Sequence, residues 1–332
     1  MYTSIYTNKT PVLLAELANT PEMKRLTDIG MHCGCDYTNL PIYHQVRCHY
    51  TRYMHSIGVA NIVWHFTQDI KQAVAGLLHD ISTPAFAHTI DFLNGDHLNQ
   101  ESTEEKTLHF IENSKEIMAL LKKHAIKVED VCDYQKYPIA DNNTPMLSAD
   151  RLEYTLGNGY IIYNEDLSEI QDIYNNLTVT KNENHIDELC FKSQATAKKF
   201  VDISLRNSYL YVTDEERLVM QYLADIIQLA ISTSVLLFDD LFTTESNVIS
   251  KLKRSNKTSK LWDTYTKISA VSTTDNRKSD VYCVNIPAKK RYIDPLVLTE
   301  TSPKRISSID NATKNKIDEF LNLDFDKWIY AT

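Results

Sequence analysis

The chain reads as an all-α protein: a helical bundle with further C-terminal helices and a small β hairpin. Three observations predict this class. Only 7 of the 332 residues are glycine, which argues against a nucleotide-binding α/β fold rich in tight turns. Apolar residues recur at three- and four-residue spacing over long stretches, the period of a helix with one buried face. The phosphate-cradling loops G-x-G-x-x-G and G-x-x-x-x-G-K-S/T are absent from the sequence.

The elements follow in order. Thr20-Pro21-Glu22 starts a helix with a hydroxyl cap, a proline at the first helical position and an acid in the first turn. His55, Val59, Ile62 and Phe66 share one helical face, so a helix carries His55 inward. Ile70 to Asp80 is a second buried helix that ends on the pair His79-Asp80. Pro84 opens the next segment, where Phe86, Ile90 and Leu93 fit a helical stripe. Thr103 to Lys123 reads as one long helix, and Glu129 to Asn143, polar and carrying Pro138, as a connecting loop. Pro145 to Gly157 is a short helix bearing Asp150, with Gly157 and Gly159 as its stop. Ala195–Leu210 and Asp214–Phe242 read as helices, and Arg254 to Lys260 as a charged surface segment. Val281–Ile286 and Lys290–Leu298 alternate like two strands around a Pro-Ala-Lys turn. Lys314–Leu323 is the last helix. Residues 1–165 are expected to form a catalytic core, and 166–332 a helical region with the β appendage, packed on that core.

Composition narrows the function classes. The net charge of −9 speaks against a sequence-independent nucleic-acid binder, whose affinity comes from neutralising phosphates. The longest apolar run, Ile226 to Phe238, is interrupted by Gln228, Ser232, Thr233 and Ser234. It is too short and polar to span a bilayer, which takes about 20 apolar residues. The six cysteines match no zinc module. Cys33, Cys35 and the rest read as reduced, buried thiols of a cytoplasmic protein.

The chemistry gathers on His55, His79, Asp80 and Asp150. Two imidazoles and two carboxylates that converge make a site for a hard-to-borderline divalent metal. The plain alternative is a buried hydrogen-bonded cluster that ties helices together. His88 follows on the turn after Asp80. Arg52 and Arg151 each sit a turn or less from one of the four and offer a planar donor fork to phosphate. Tyr154 falls four residues after Asp150, on the same helix face. Arg206 and Arg217 lie on later helices. The isolated His65, His109, His124 and His185 read as structural or surface residues.

These pieces, in this order, resemble the HD-domain metal-dependent phosphohydrolases, and within them the dGTPase-like deoxynucleoside triphosphate triphosphohydrolase branch. Thr20 to Leu26 is similar to that branch's N-terminal helix, and Thr51 to Val59 to its R-F-x-H-S-L-G-V. Gly76 to Asp91 is similar to H-D-L/I-x-x-x-P-F-x-H-x-x-D/E, and Asp150 to Tyr154 to D-K-x-D-Y. The likeness spans roughly residues 15 to 160, weakens toward 240 and returns faintly over Arg291 to Leu296.

The resemblance implies an HD-domain bundle whose metal, often manganese, iron, magnesium or nickel, is held by His55, His79, Asp80 and Asp150. It implies that His88 donates to a phosphate oxygen, that Arg52 and Arg151 contact the phosphate chain, and that Tyr154 packs near the sugar. A second catalytic histidine is expected after His88. His97 fills that place, or Gln100-Glu101 aligns there instead. The branch has histidine at the place of Thr83, glutamine at Met31, and aspartate on the sugar hydroxyl at Asn158. The implied activity converts a dNTP to a deoxynucleoside and tripolyphosphate, with a nucleotide substrate and a homo-oligomer of two or more subunits. The departures keep other readings open: a nucleotidase or phosphodiesterase on another nucleotide, or a catalytically silent nucleotide binder. An oxygen-activating two-iron site would need further ligands, with His88 or His109 as candidates.

Overall fold

The computed structural model describes residues 5–7, 9–93 and 106–332, so His97 and Gln100-Glu101 lie outside the described residues. The architecture is mostly helical with two small sheets. The helices Arg52–Thr67 and Ile70–Leu78 form a tightly packed pair. Thr51 caps the first, its hydroxyl accepting from the Met54 amide at 3.3 Å. Asp69 caps the second through the amides of Lys71 and Gln72. Gly76 permits the approach, since a methyl group there would sit 3.2 Å from Val59. Val59, Ile62, Val63, Val74 and Leu78 are fully buried around this pair. Each such side chain contributes roughly 1.5–3 kcal/mol when sealed from water.

The Asp150 helix runs over Ala149–Ile161, with Ser148 as its cap. Gly157 and Gly159 lie inside it rather than ending it. Gly159 is a contact point: a methyl there would sit 3.2 Å from both Ile170 and Ile203. The helices Gln194–Leu210 and Asp214–Ser232 complete the bundle, the latter shorter than its apolar pattern implied. Thr107–Asn113 and Lys115–Lys123 are separate helices, because Ser114 leaves helical geometry to cap the second. Residues 256–265 of the supposed surface segment and its continuation are a helix whose Trp262 and Tyr265 are buried.

The β structure differs from the expected hairpin. Cys283–Val284 joins a three-stranded antiparallel sheet with Val271–Thr274 and Trp328–Ala331. Leu296–Val297 instead runs parallel to Asp187–Phe191 in a four-stranded sheet and pairs on its other edge with Lys304–Arg305. The two predicted strands therefore never pair. The segment between them forms no regular element and is tied elsewhere at both ends. The true hairpin, Leu177–Lys181 with Asp187–Phe191, closes through an Asn182 turn in which the Asn182 side chain accepts from the amides of Asn184 and Ile186. No helix among the described residues is long and apolar enough to cross a membrane.

Candidate metal centre and its cavity

The four expected ligands come from three helices and converge. His55 projects from Arg52–Thr67, His79 terminates Ile70–Leu78, Asp80 follows on the turn, and Asp150 stands in the first turn of its helix. His55 Nε2 lies 3.2 Å from His79 Nε2, 3.0 Å from Asp150 Oδ1 and 3.9 Å from Asp80 Oδ2. His79 Nε2 lies 3.4 Å from Asp80 Oδ2 and 3.7 Å from Asp150 Oδ1. Neighbouring ligands of one octahedral ion stand about 3 Å apart and opposite ones about 4 Å, given bonds near 2.1 Å. The separations among His55, His79 and Asp80 fall in that interval and make these three one buried group; Asp150 lies beside the two histidines, outside that group.

The outer nitrogens fix the tautomers. His79 Nδ1 is 2.8 Å from the Gly76 carbonyl, which only accepts, so it carries the proton and leaves Nε2 as a lone pair. His55 Nδ1 is 2.5 Å from Glu153 Oε2. Both imidazoles therefore turn Nε2 toward two carboxylates, the arrangement of histidines that hold a metal and are oriented from behind. The His55 imidazole takes up a positive charge readily. Burial opposes that charge, but the bonds to Asp150 and Glu153 outweigh it and lift the imidazole to about 10. Burial likewise opposes the Asp150 charge, and His55 outweighs it, drawing the carboxyl down to about 2. The donor set and its electrostatics fit a divalent ion.

Asp80 is held by two donors: Arg52 Nη1 reaches both its oxygens at 3.2 and 3.1 Å, and Thr83 Oγ1 donates to Oδ1 at 2.7 Å. Thr83 thus orients a ligand and does not line the cavity. Arg25 clamps the same turn, its Nη2 donating to the Ile81 and Thr83 carbonyls at 2.8 Å each.

A cavity of about 320 Å³ opens on the four ligands. His88, Arg52, Arg151, Tyr154 and Arg217 line it, as do Met31, His32, Cys33 and Tyr43. His88 is half-buried, and its Nδ1 is 2.8 Å from Asp91 Oδ2. It is presented by a strained turn: Phe86 and Ala87 both take positive φ, 63° and 44°. Burial lowers its basicity against the opposing pull of Asp91. Arg151 is engaged by Asp141 at 3.3 Å and by Asn142 and Ser148. Asn158 does not line the cavity. Its amide nitrogen donates to the Tyr211 hydroxyl at 2.8 Å, and Tyr211 does line it. Arg206 points away onto Glu165 and the Tyr163 ring. His109 is exposed, bonded to Asn113, and outside the cavity.

Several residues escaped the sequence reading. Glu153 was visible only as part of D-R-L-E-Y, although an acid one turn past Asp150 falls beside it on the helix. Gly58 makes room for it, since a methyl at that position would run into the Glu153 side chain. Tyr134, whose ring lies 4.9 Å from that of His79, and Asp141 fall in the stretch read as a connecting loop. Glu245 carried no local signal. It is fully buried and accepts from the amides of Gly30 at 3.0 Å and Phe86 at 3.2 Å and from the Tyr37 hydroxyl at 2.8 Å. It thereby ties the turn that presents His88 to the strand-like bridge Gly30–Thr51, at the cap of the His55 helix.

No protein-family model matches the chain. It is 28% identical over 207 residues to the uncharacterized protein YdhJ of Bacillus subtilis, covering 62% of each protein. It is 25% identical over 209 residues to the metal-dependent phosphohydrolase cns2 of Cordyceps militaris, covering 61% of this chain and 55% of that one. The chain thus spans about six-tenths of the length of the curated relatives it matches. In fold it is similar to a hypothetical protein from Aquifex aeolicus, with a TM-score of 0.67, 16% identity and coverage of 97% and 93%. It is also similar to a phosphohydrolase from Bacteroides thetaiotaomicron, with a TM-score of 0.63, 17% identity and coverage of 98% and 97%. The class that fold and site define is a mostly helical protein with a buried group of two histidines and an aspartate, a second aspartate beside it, open to one cavity.

Proposed function

We propose that this protein is a metal-dependent phosphohydrolase of the HD-domain type that cleaves a phosphoester or phosphoanhydride bond of a nucleotide. The carrying observation is the convergence of His55, His79, Asp80 and Asp150 with both outer imidazole nitrogens tied back. The metal-dependent phosphohydrolase relative and the phosphohydrolase of like fold support the same reading. The leading substrate is a dNTP, released as deoxynucleoside and tripolyphosphate.

A divalent ion in this centre polarises a phosphoryl oxygen and lowers the pKa of bound water. The chain's own groups do the rest. Water oxygen bonds to phosphorus, the bond to the leaving oxygen breaks, and one proton passes to that oxygen. With Nδ1 committed to Asp91, His88 has Nε2 left for the substrate. In the free protein that nitrogen is an acceptor, and an incoming phosphate dianion favours its protonated, donating form. Arg52 and Arg151 neutralise charge developing on the phosphoryl oxygens. Tyr154 packs against the sugar. His97, in the part of the chain that carries the second catalytic histidine of the resembling enzymes, protonates the leaving oxygen.

Two observations favour a second reading, a nucleotidase or phosphodiesterase on another nucleotide. Thr83 spends its hydroxyl on Asp80, and Asn158 spends its amide on Tyr211 and Asn207. The test is a chromatography panel of dNTPs, NTPs, monophosphates and cyclic dinucleotides with several divalent metals, with Asp80→Ala as control. Nucleoside plus tripolyphosphate, lost in the variant, supports the leading substrate. Turnover of another nucleotide replaces the substrate and keeps the centre. No turnover of any nucleotide with any metal refutes the enzyme.

A further inference from the structure

The acids of the cavity are already partnered: Asp80 by Arg52, Asp141 by Arg151, Asp150 by His55, and Glu216 by the Tyr43 hydroxyl. Among its cations, Arg217 is held by Asp214 and by the Ile286 and Phe325 carbonyls. Arg291 is different. It lines the cavity, is half-buried, and makes no hydrogen bond or ion pair among the described residues. It lines the same cavity as His88, Tyr154 and Tyr211, and its charge is felt by all three.

The segment that carries it is fixed. Arg217 holds its start at Ile286, and the Asp294 amide donates to the Pro145 carbonyl at 2.9 Å at its end. Between them Lys290 turns away, its Nζ donating to the Leu321 and Leu323 carbonyls at 2.6 and 2.5 Å. The residues on either side of it, Lys289 and Arg291, both line the cavity. Arg291 is thus preorganised toward the cavity, where a partly desolvated, unpaired cation costs free energy until an anion meets it.

We propose that Arg291 is a specificity residue that binds a second anionic group of the substrate, beyond the phosphoryl group at the metal centre. The inference rests on the proposed phosphohydrolase reading. A substrate with one anionic group leaves Arg291 unmet, so the preferred substrate carries at least two.

Isothermal titration of the full chain with excess magnesium, using tripolyphosphate and orthophosphate as probes, tests this. Wild type should bind tripolyphosphate more tightly. Arg291→Ala should weaken tripolyphosphate by about tenfold or more and orthophosphate by less than about twofold, the scale of one lost charge-assisted contact. Arg291→Lys, which keeps the charge but not the fork, should fall between. Adenosine 3′,5′-bisphosphate against ADP tells a separated second group from a contiguous one. Equal weakening of both inorganic anions, no weakening of either, or no preference in wild type overturns the proposal. Circular dichroism confirms that the variants fold. Failure of the metal-centre reading shows separately, as manganese binding that is the same in wild type and Asp80→Ala.

Discussion

Glu245 is a buried carboxyl whose loss and whose neutralisation should have opposite consequences. Burial, with Asp36 adding repulsion, lifts it from the ordinary 4.5 to about 7, against the bonds from Gly30, Tyr37 and Phe86. The folded protein therefore keeps this proton up to about pH 7, whereas the unfolded chain releases it near 4.5. Between those values the folded state binds more protons, so this group's contribution to stability is complete below 4.5 and is lost as pH rises to about 7. The loss amounts to roughly 3 kcal/mol at about 1.4 kcal/mol per pH unit. Glutamine is an isostere here. Its Oε1 can accept from Gly30 and Phe86, as Oε1 of Glu245 does, and its amide can donate to the Tyr37 oxygen. Glu245→Gln should match wild type at pH 4.5 and exceed it by up to about 3 kcal/mol at pH 8 in urea unfolding. Glu245→Ala strands two buried amides and leaves a void, a cost of roughly 3–6 kcal/mol at either pH. Parallel pH profiles for wild type and Glu245→Gln would refute the reasoning. So would a Glu245→Ala protein as stable as wild type.

Two further outcomes follow from the same geometry. Gly58→Ala pushes Glu153 off His55, and losing such an orienting partner typically costs about 10–100-fold in metal affinity. Manganese titration reads this, with circular dichroism expected to stay unchanged, and unchanged affinity would dismiss the role given to Glu153. Cys48 is exposed, whereas burial raises the Cys33 thiol to about 12 and lifts Cys35 well above its ordinary range. A thiol-reactive dye at pH 8 should therefore label Cys48 first and leave Cys33 and Cys35 unreacted until the protein unfolds. Prompt labelling of either in the folded protein would contradict their burial.

The helical character and the gathering of His55, His79 and Asp80 were legible because they are local. His55 and its apolar neighbours share a 3.6-residue period, and His79-Asp80 ends a helix whose cap, Asp69, is plain in the sequence. The strand pairing was not legible, because alternation at 281–298 marks extended chain and says nothing about partners. Leu296–Val297 found Asp187–Phe191 more than a hundred residues away in the chain. Glycine misled at 157 and 159, where helix packing rather than a turn requires it. Part of the unread site has long sequence separation, Glu245 to Phe86 and Arg291 to His88, whereas Glu153, Tyr134 and Asp141 lie near Asp150 in the chain, where a polar stretch hides what the fold brings together.

That separation bears on what the cavity can discriminate. The proposed ligands and the acid behind His55 all lie between residues 55 and 153, so the proposed chemistry belongs to one stretch of chain. The far walls come from elsewhere: Tyr211, Glu216, Arg217 and Met220 from one helix and its approach, and Arg291 and Tyr292 from the tied segment before Leu296. The proposed bond cleavage would need the first set closely in register. Choice of substrate is decided by the second, where a change of one side chain alters which anion or ring is met without moving a ligand. A chain with Thr83 on Asp80 and Asn158 behind Tyr211 can therefore keep the metal centre intact while its substrate differs from that of the enzymes its sequence resembles. The pair of measurements that separates these two levels is metal affinity on one side and anion preference at Arg291 on the other.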